Sequence, residues 1–428
     1  MVKKNKTEKN IILYIAKKPT GSMTEVRAEL KKELGKHIQL GIIFDKQQES
    51  KIDPTILEKF DIKISCDFSS KKNIIKSLLP YEDEILAITT RGEKNIPIFQ
   101  EIIPHVPYLR TPSVKSLEWS IDKVQMRRHF NAYDKKITPK YSVIHDSKIS
   151  TIKKIENKLG YPIVLKPAGL ASSLLVTKAY HREELETNLK MAFKKLNKVY
   201  KEVEGRGEPT MLVEQFMDGD MYSVDAYVTS RGKVYFCPIV KVITGKNVGF
   251  DDFFGFKRSL PTKLNAQNIK NAEEAARKGI KALRLRSTTA HIELMNTQEG
   301  WKLIEIGPRI GGYRDEMYRN AYNIPHTLND ILIRIPKKPI LQKKINGYTN
   351  VYNFYAKKEG KILSIKGLKN AQHLKSTQTL KQNKKVGDKA VFAKHGGKPV
   401  LEVTLFNQSK IQLMADSRKL EKMIQIQL

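Results

Sequence analysis

Two glutamates, Glu293 and Glu305, lie on apolar segments joined by the turn Thr297-Gln298-Glu299-Gly300. Read as an antiparallel hairpin centred near Glu299, the segments put the two acids opposite each other on one face. Like charges so placed repel. A cation between them reverses the sign, and magnesium, or manganese in its place, is the simplest candidate. A solvated hairpin face that tolerates both acids is the alternative. Past Glu305 runs Gly307-Pro308-Arg309-Ile310-Gly311-Gly312, a backbone suited to turning beside a ligand. Arg309 offers a fork for phosphate or carboxylate. His291 reads as a packed or supporting group rather than a base.

Phosphate chemistry has further candidates. Lys166 ends an apolar strand and opens the small-residue loop Pro167-Ala168-Gly169-Leu170-Ala171-Ser172-Ser173. Its ammonium, with the N–H groups and hydroxyls of the loop, suits phosphate oxygens; a solvated strand-end lysine has the same local pattern. No Gly-x-x-x-x-Gly-Lys-Ser/Thr pattern occurs, so this is no P-loop. Lys123 follows Asp122 at a helix start, where the macrodipole favours an anion, though an ordinary surface lysine reads alike. In Val213-Glu214-Gln215-Phe216-Met217-Asp218-Gly219-Asp220 a strand with an acid runs into a turn. Glu214 has the chemistry to accept from an exocyclic amine, and the strand edge to read a purine rim.

The elements that must position these groups begin with strand-like runs at 11–15, 38–44, 62–65 and 85–89, alternating with helix-like stretches such as 23–34 and 71–79. That alternation predicts a parallel sheet with helices on its faces. Gly21 stands alone after the first strand, so the dinucleotide fingerprint Gly-x-Gly-x-x-Gly is missing. A boundary falls near Thr111-Pro112-Ser113. Asp122 then caps a helix. Further helices are expected at 151–160, 182–200, 266–283 and 329–333, and strands at 161–165, 211–216, 221–230 and 233–242, before the acidic hairpin at 288–306. A mostly β module at 345–428 turns at Glu359-Gly360 and carries a Lys/Gly loop at 381–398, a strand at 400–406 and a short helix from Asp416.

Composition narrows the classes. A chain of 428 residues with 40% apolar residues is globular and too long for one core. Only two cysteines occur, Cys66 and Cys237, which excludes a disulfide framework and points to a reducing, cytoplasmic setting. No apolar run approaches a membrane span and the start lacks a signal-peptide core, so no membrane partner is expected. The net charge of +33 comes from dispersed Lys, attracts anions generally, and predicts no specific nucleic-acid partner.

Taken in order, Asp122-Lys123, Tyr161-Pro162-Ile163-Val164-Leu165-Lys166-Pro167, Val213-Glu214 through Gly219 to Ser223-Val224-Asp225, His291-Ile292-Glu293 and Glu305-Ile306-Gly307-Pro308-Arg309 resemble the ATP-grasp superfamily over about 122–335. The resemblance implies an α/β chain, α+β in the ATP-grasp part. It comprises a Rossmann-like pre-ATP-grasp domain at 1–120, a two-subdomain ATP-grasp domain at 121–340 (small subdomain 121–217, large 218–340) and a small mostly β C-terminal domain at 345–428. It implies that Lys123 and Lys166 hold ATP phosphates under a loop bearing Ser172 and Ser173. Glu214, with the backbone of Phe216 and Met217, would meet adenine. Glu293 and Glu305 would hold magnesium, and Arg309 would steady an acyl-phosphate. Two departures stand out: Gly307 replaces a frequent Asn ligand, and Met221 replaces the ribose-binding acid, leaving Asp220 as its substitute. The loop is also glycine-poor at Leu174-Leu175. The implied reaction joins a small-molecule carboxylate to an amine with ATP. Asp252, Arg258, Tyr313, Arg314 and Tyr318 are expected to select the substrates, with Phe253 and Phe254 walling the pocket; packing in the core is the competing reading for the aromatics. A homodimer is compatible with the resemblance. Carboxyphosphate chemistry, as in biotin carboxylases or carbamoyl-phosphate synthetases, and non-catalytic nucleotide or RNA binding are the alternatives.

Overall fold

The computed structural model describes residues 9–16, 23–35, 37–170, 174–203, 205 and 207–428. Gly21, Ser172 and Ser173 lie outside the described residues. The expected α/β class is what the structure has.

Apolar β-branched runs make the first sheet. All five residues of Ile11–Ile15 are buried, as a strand covered on both faces requires. The strands pair in parallel in the order Ile62–Cys66, Gln39–Asp45, Ile11–Ile15, Ile85–Thr90. One face packs Ile74, Phe99 and Leu117. The other packs Val26 and Leu30 and, from far along the chain, Leu328, Ile331 and Leu332. The helix His326–Leu332, buried at every position, thereby joins this sheet to the rest of the molecule.

A second, antiparallel sheet runs Tyr141–Ile144, Met211–Gln215, Ile163–Pro167, Thr177–Ala179. The helices Ile149–Leu159 and Arg182–Glu202 cover it through Ile152, Ile155, Leu185, Leu189 and Leu196.

The third sheet is long. It runs Gly300–Gly307, Thr288–Thr297, Asp220–Val228, Val240–Thr244, Gly255–Leu260, Tyr348–Phe354, Leu401–Asn407, Thr377–Gln382. The C-terminal strands therefore extend the sheet that carries the acidic hairpin, through the pairing of Arg258 with Val351. Their own core includes Tyr352, Leu401, Leu413 and Leu420.

Several elements differ from expectation. The strand expected at 233–242 splits into Val234–Phe236 and Val240–Thr244, because Pro238 has no N–H to give a ladder. The helix expected from Asp416 is Lys410–Met423, begun by a Ser409 cap that accepts from the Gln412 N–H. Helices Ile96–Ile102, Val114–Ile121 and Arg314–Tyr322 and the strand Gly255–Leu260 were not anticipated.

Candidate active site

The acidic hairpin is closed by the pair Thr297 and Gly300, and Leu294 faces Leu303. Continued unbroken, that register would set Glu293 against Ile304. A bulge intervenes, Ile304 becomes the extra residue, and Glu293 faces Glu305. The pairing is the expected one, reached through a tighter turn plus a bulge.

Both carboxylates are partly open, at 28% and 34% side-chain exposure, so they are not packed into the core. Burial raises the Glu305 carboxyl and Lys123 opposes it, but the charge of Glu293 helps leave it above the usual range. Burial also acts on Glu293, but the imidazole of His291, 3.6 Å away, with the charges of Arg258 and Arg309, holds it below.

Behind the pair stands a buried relay. Glu293 is registered with Ser223 and His291 with Asp225. Asp225 is fully buried and takes three donors: His291 Nδ1 at 2.6 Å, His326 Nε2 at 2.8 Å and the Gly311 N–H at 2.9 Å. These hold its carboxyl far below the usual range against the cost of burial. The other His291 nitrogen lies 3.6 Å from Glu293 Oε1. Gly311 is needed there, since a Cβ would meet His291 Nδ1 at 2.3 Å.

The lysines converge from the other side. Asp122 caps the helix Lys123–Tyr133, accepting from the Val124 and Gln125 N–H groups. Lys123 Nζ donates to the Leu170 carbonyl at 2.5 Å and stands 3.8 Å from Glu305. Lys166 Nζ lies 2.8 Å from Glu214 Oε2. Arg127 grips the same carboxylate, through Nε at 2.6 Å and Nη2 at 3.2 Å. Glu214 thus serves two cations, which with burial opposed hold it down to about 2. Burial, with the like charge of Arg127, pushes Lys166 down to about 8 although Glu214 opposes it.

This geometry corrects the reading of Glu214 as an acceptor for an exocyclic amine. Its oxygens are engaged by Arg127 and Lys166, because a carboxylate buried to this depth needs cationic partners. Phe216 likewise donates its N–H to the Pro162 carbonyl at 3.0 Å, so it has no free amide donor for a purine edge. Met217, next along the strand end, is half-buried. Asp220 pairs with Lys241 at 2.7 Å and stays open to solvent.

Arg309 pairs with Glu93, Nη2 to Oε2 at 2.9 Å, just after the last strand of the first sheet, and its charge still acts on both hairpin acids. Of the five residues expected to select substrates, Arg258 and Arg314 stand near the hairpin. Arg314 is buried, donates to Ser223 Oγ at 2.6 Å, and leaves its Nε without a partner. Arg258 lies over the Tyr313 ring at 5.1 Å. Neither guanidinium has a carboxylate at ion-pair distance among the described residues. Tyr313 turns its hydroxyl to Glu402, 2.8 Å, and Asn353, 3.0 Å.

Two of the five are corrected. Tyr318 is a core residue at 0% exposure, its hydroxyl accepting from the Asp225 N–H at 3.2 Å. Asp252, 1% exposed, bonds only backbone amides. Phe254 is also packed, 4.1 Å from the Tyr355 ring.

Sequence reasoning gave no role to Arg127, Asp225, His326 or Glu93. Arg127 had a signal: it lies one helical turn past Lys123, on the same face. Glu93 had none, because only the fold brings it to Arg309.

A family model described as an ATP-grasp domain matches residues 159–316. The D-alanine–D-alanine ligase of Clostridium acetobutylicum is 27% identical over 228 residues, 46% of this chain and 60% of that protein. The alanine–anticapsin ligase of Bacillus subtilis is 27% identical over 243 residues, 53% of this chain and 49% of that protein. The matched stretch thus spans between about half and three-fifths of these curated relatives. Among solved structures, an L-amino acid ligase from Bacillus licheniformis superposes with a TM-score of 0.74 at 17% identity, covering 98% of both chains. An ADP complex of N5-carboxyaminoimidazole synthetase from Staphylococcus aureus does so with a TM-score of 0.66 at 13% identity, over 97% of this chain and 98% of the other. The arrangement of the three larger sheets is therefore shared with these solved structures. Residues 159–316, a little over a third of the chain, resemble an ATP-grasp domain.

Proposed function

We propose that the protein is an ATP-dependent ligase that joins a carboxylate to an amine through an acyl-phosphate, releasing ADP and phosphate. The observation that carries the proposal is the facing, partly exposed pair Glu293 and Glu305, with Lys123 3.8 Å from Glu305 and the charge of Lys166 also acting on it. Relatives named as D-alanine–D-alanine, alanine–anticapsin and L-amino acid ligases support it.

The donor set fits a divalent cation of the magnesium or manganese kind. Two adjacent carboxylates supply part of an octahedral shell, and no group of three acid, His or Cys ligands occurs among the described residues. Such a pair suits an ion whose remaining ligands are phosphate oxygens and water. Glu293 and Glu305 would hold such an ion, which would neutralise charge at the transferring phosphoryl group.

The chain's own groups account for the rest. Lys123 and Lys166 hold the phosphates. Arg127 and Lys166 together carry more positive charge than Glu214 cancels, so Lys166 gains by meeting an anion. A substrate carboxylate oxygen attacks the terminal phosphorus, the bond to ADP breaks, and the lysines offset the developing charge. Arg309 then steadies the acyl-phosphate while the amine attacks its carbonyl carbon. Phosphate leaves and the amine nitrogen gives up a proton. Arg258 and Arg314, two guanidiniums beside Glu293 without carboxylate partners, are suited to a carboxylate that is bound but not activated, as an amino acid carries. That placement favours amino acids as substrates.

The test is ADP release across pairs of amino acids, with the amide identified by mass. ADP release that depends on an acid and an amine, with an amide of the summed mass less water, is the expected result. Release that needs bicarbonate, or no second substrate at all, would overturn the reading.

A further inference from the structure

Asp252 is a buried carboxylate without a cationic side chain at ion-pair distance among the described residues. Its Oδ1 accepts the Phe253 N–H at 2.7 Å and its Oδ2 the Lys394 N–H at 3.0 Å. The carbonyl of that same Lys394 accepts the Leu175 N–H at 2.9 Å. One peptide segment is thus held on both sides. Asp252 belongs to the long sheet's 249–254 loop, and Leu175 to the far end of the stretch that starts at Lys166.

The rest of the contact is built to keep that geometry. Leu175 is held at φ +56°, a conformation that Leu adopts at a cost and keeps only when its surroundings impose it. A Cβ on Gly396 would stand 3.8 Å from Leu174 Cδ1, so the chain passes close. Glu359 pins the 392–395 turn, accepting the Phe392 N–H at 2.8 Å and facing His395 Nδ1 at 2.7 Å. The C-terminal strands run in the sheet that carries Glu293 and Glu305, so Lys394 is carried on the scaffold of the acidic pair. Ionised acceptors make stronger bonds to amide N–H groups than neutral ones, which gives a reason for Asp over Asn at a site where burial raises its carboxyl.

We infer that Asp252 is a positioning residue: through the Lys394 backbone it sets Leu174 and Leu175 relative to Glu293 and Glu305 and so keeps water from the activated carboxyl group. This rests on the proposed ligase reaction. Water that reached the acyl-phosphate would attack the carbonyl carbon, the carbon–oxygen bond to phosphate would break, and carboxylate, phosphate and protons would result. ATP would be spent without an amide.

The experiment compares wild type, Asp252→Asn and Lys394→Ala in the full chain. Lys394→Ala removes the side-chain pair with Asp251, 2.7 Å, and the ammonium's approach to the Phe392 ring, and leaves the backbone links. Deuterium uptake of a peptide over 174–178 is expected to quicken by at least about threefold in Asp252→Asn, as a local opening becomes easier, and to stay unchanged in Lys394→Ala. With an acid and amine that wild type couples one ADP to one amide, Asp252→Asn should release about twofold more ADP than amide, with kcat for ADP release little altered. Unchanged uptake in Asp252→Asn overturns the inference. So does faster uptake with coupling still one to one. If wild type makes no amide from any pair, the ligase reading fails and the water-exclusion role with it, while the uptake comparison still decides whether Asp252 positions Leu175.

Discussion

The carbonyl of Ile304, the extra residue of the hairpin bulge, accepts a hydrogen bond from Arg127 Nη2 at 2.7 Å. The bulge brings Glu305 opposite Glu293. The guanidinium that satisfies its carbonyl also holds Glu214, the partner of Lys166. One side chain therefore ties the carboxylate partner of Lys166 to the acidic hairpin.

Removing that side chain should be costly. Arg127→Ala leaves Glu214 with one cation and the Ile304 carbonyl without its donor. A loss of about 3–5 kcal/mol is expected for breaking a buried ion pair from one side. Urea unfolding measures it. A loss under about 1 kcal/mol, the range of an exposed pair, would mean the strut is not a structural link.

Lys166 should make nucleotide binding pH-dependent. Burial pushes its pKa down to about 8 from 10.5, so the free protein loses that ammonium as pH rises through 8. Phosphate favours the charged form. ATP affinity should therefore weaken on going from pH 7 to pH 9.5, by up to about tenfold per pH unit above 8. Lys166→Met should bind weakly and without this slope. The folded state also holds fewer protons here than the unfolded one, so Lys166's contribution to stability rises with pH between 8 and 10.5. Isothermal titration at several pH values is the measurement, and a slope that survives in Lys166→Met assigns the titration elsewhere.

Glu305→Gln should separate chemistry from folding. Turnover is expected to fall by at least about 100-fold, the scale for losing a main electrostatic group of a transition state. The melting temperature should hold or rise, because a like charge facing Glu293 has gone. Retained turnover would remove Glu305 from the proposed site. Arg309→Ala should lower kcat more than ATP affinity, and an equal loss in both would contradict its assigned step.

Gly307→Asn should fit without strain. A Cβ there would stand 3.6 Å from the Arg309 side chain, ordinary contact. An amide oxygen at this position adds a hard ligand beside Glu305. The magnesium concentration for half-maximal turnover is expected to fall by a few-fold, on the order of one added oxygen ligand. An unchanged or higher requirement would mean position 307 does not face the ion.

Legibility varied with the kind of interaction. The first sheet could be read because strands buried on both faces leave continuous apolar runs, as in Ile11–Ile15. The acidic pair could be read because a hairpin links near neighbours in sequence. Asp252 and Tyr318 could not: each carries groups suited to a substrate, and only packing reveals that their partners are the Lys394 and Asp225 backbones. The C-terminal strands read as a module of their own, because alternation reports a buried face but not the edge to which a strand is joined.

By itself, the chain's order of residues determined the strands, the hairpin and the types of charge offered to a phosphate, since these depend on periodicity and on neighbours within a turn. The tertiary structure alone decided which groups meet. Arg127 with Glu214, Arg309 with Glu93 and Lys394 with Asp252 are 87, 216 and 142 residues apart. Contacts over such separations are fixed by how whole sheets pack, and leave no pattern in a local stretch of sequence.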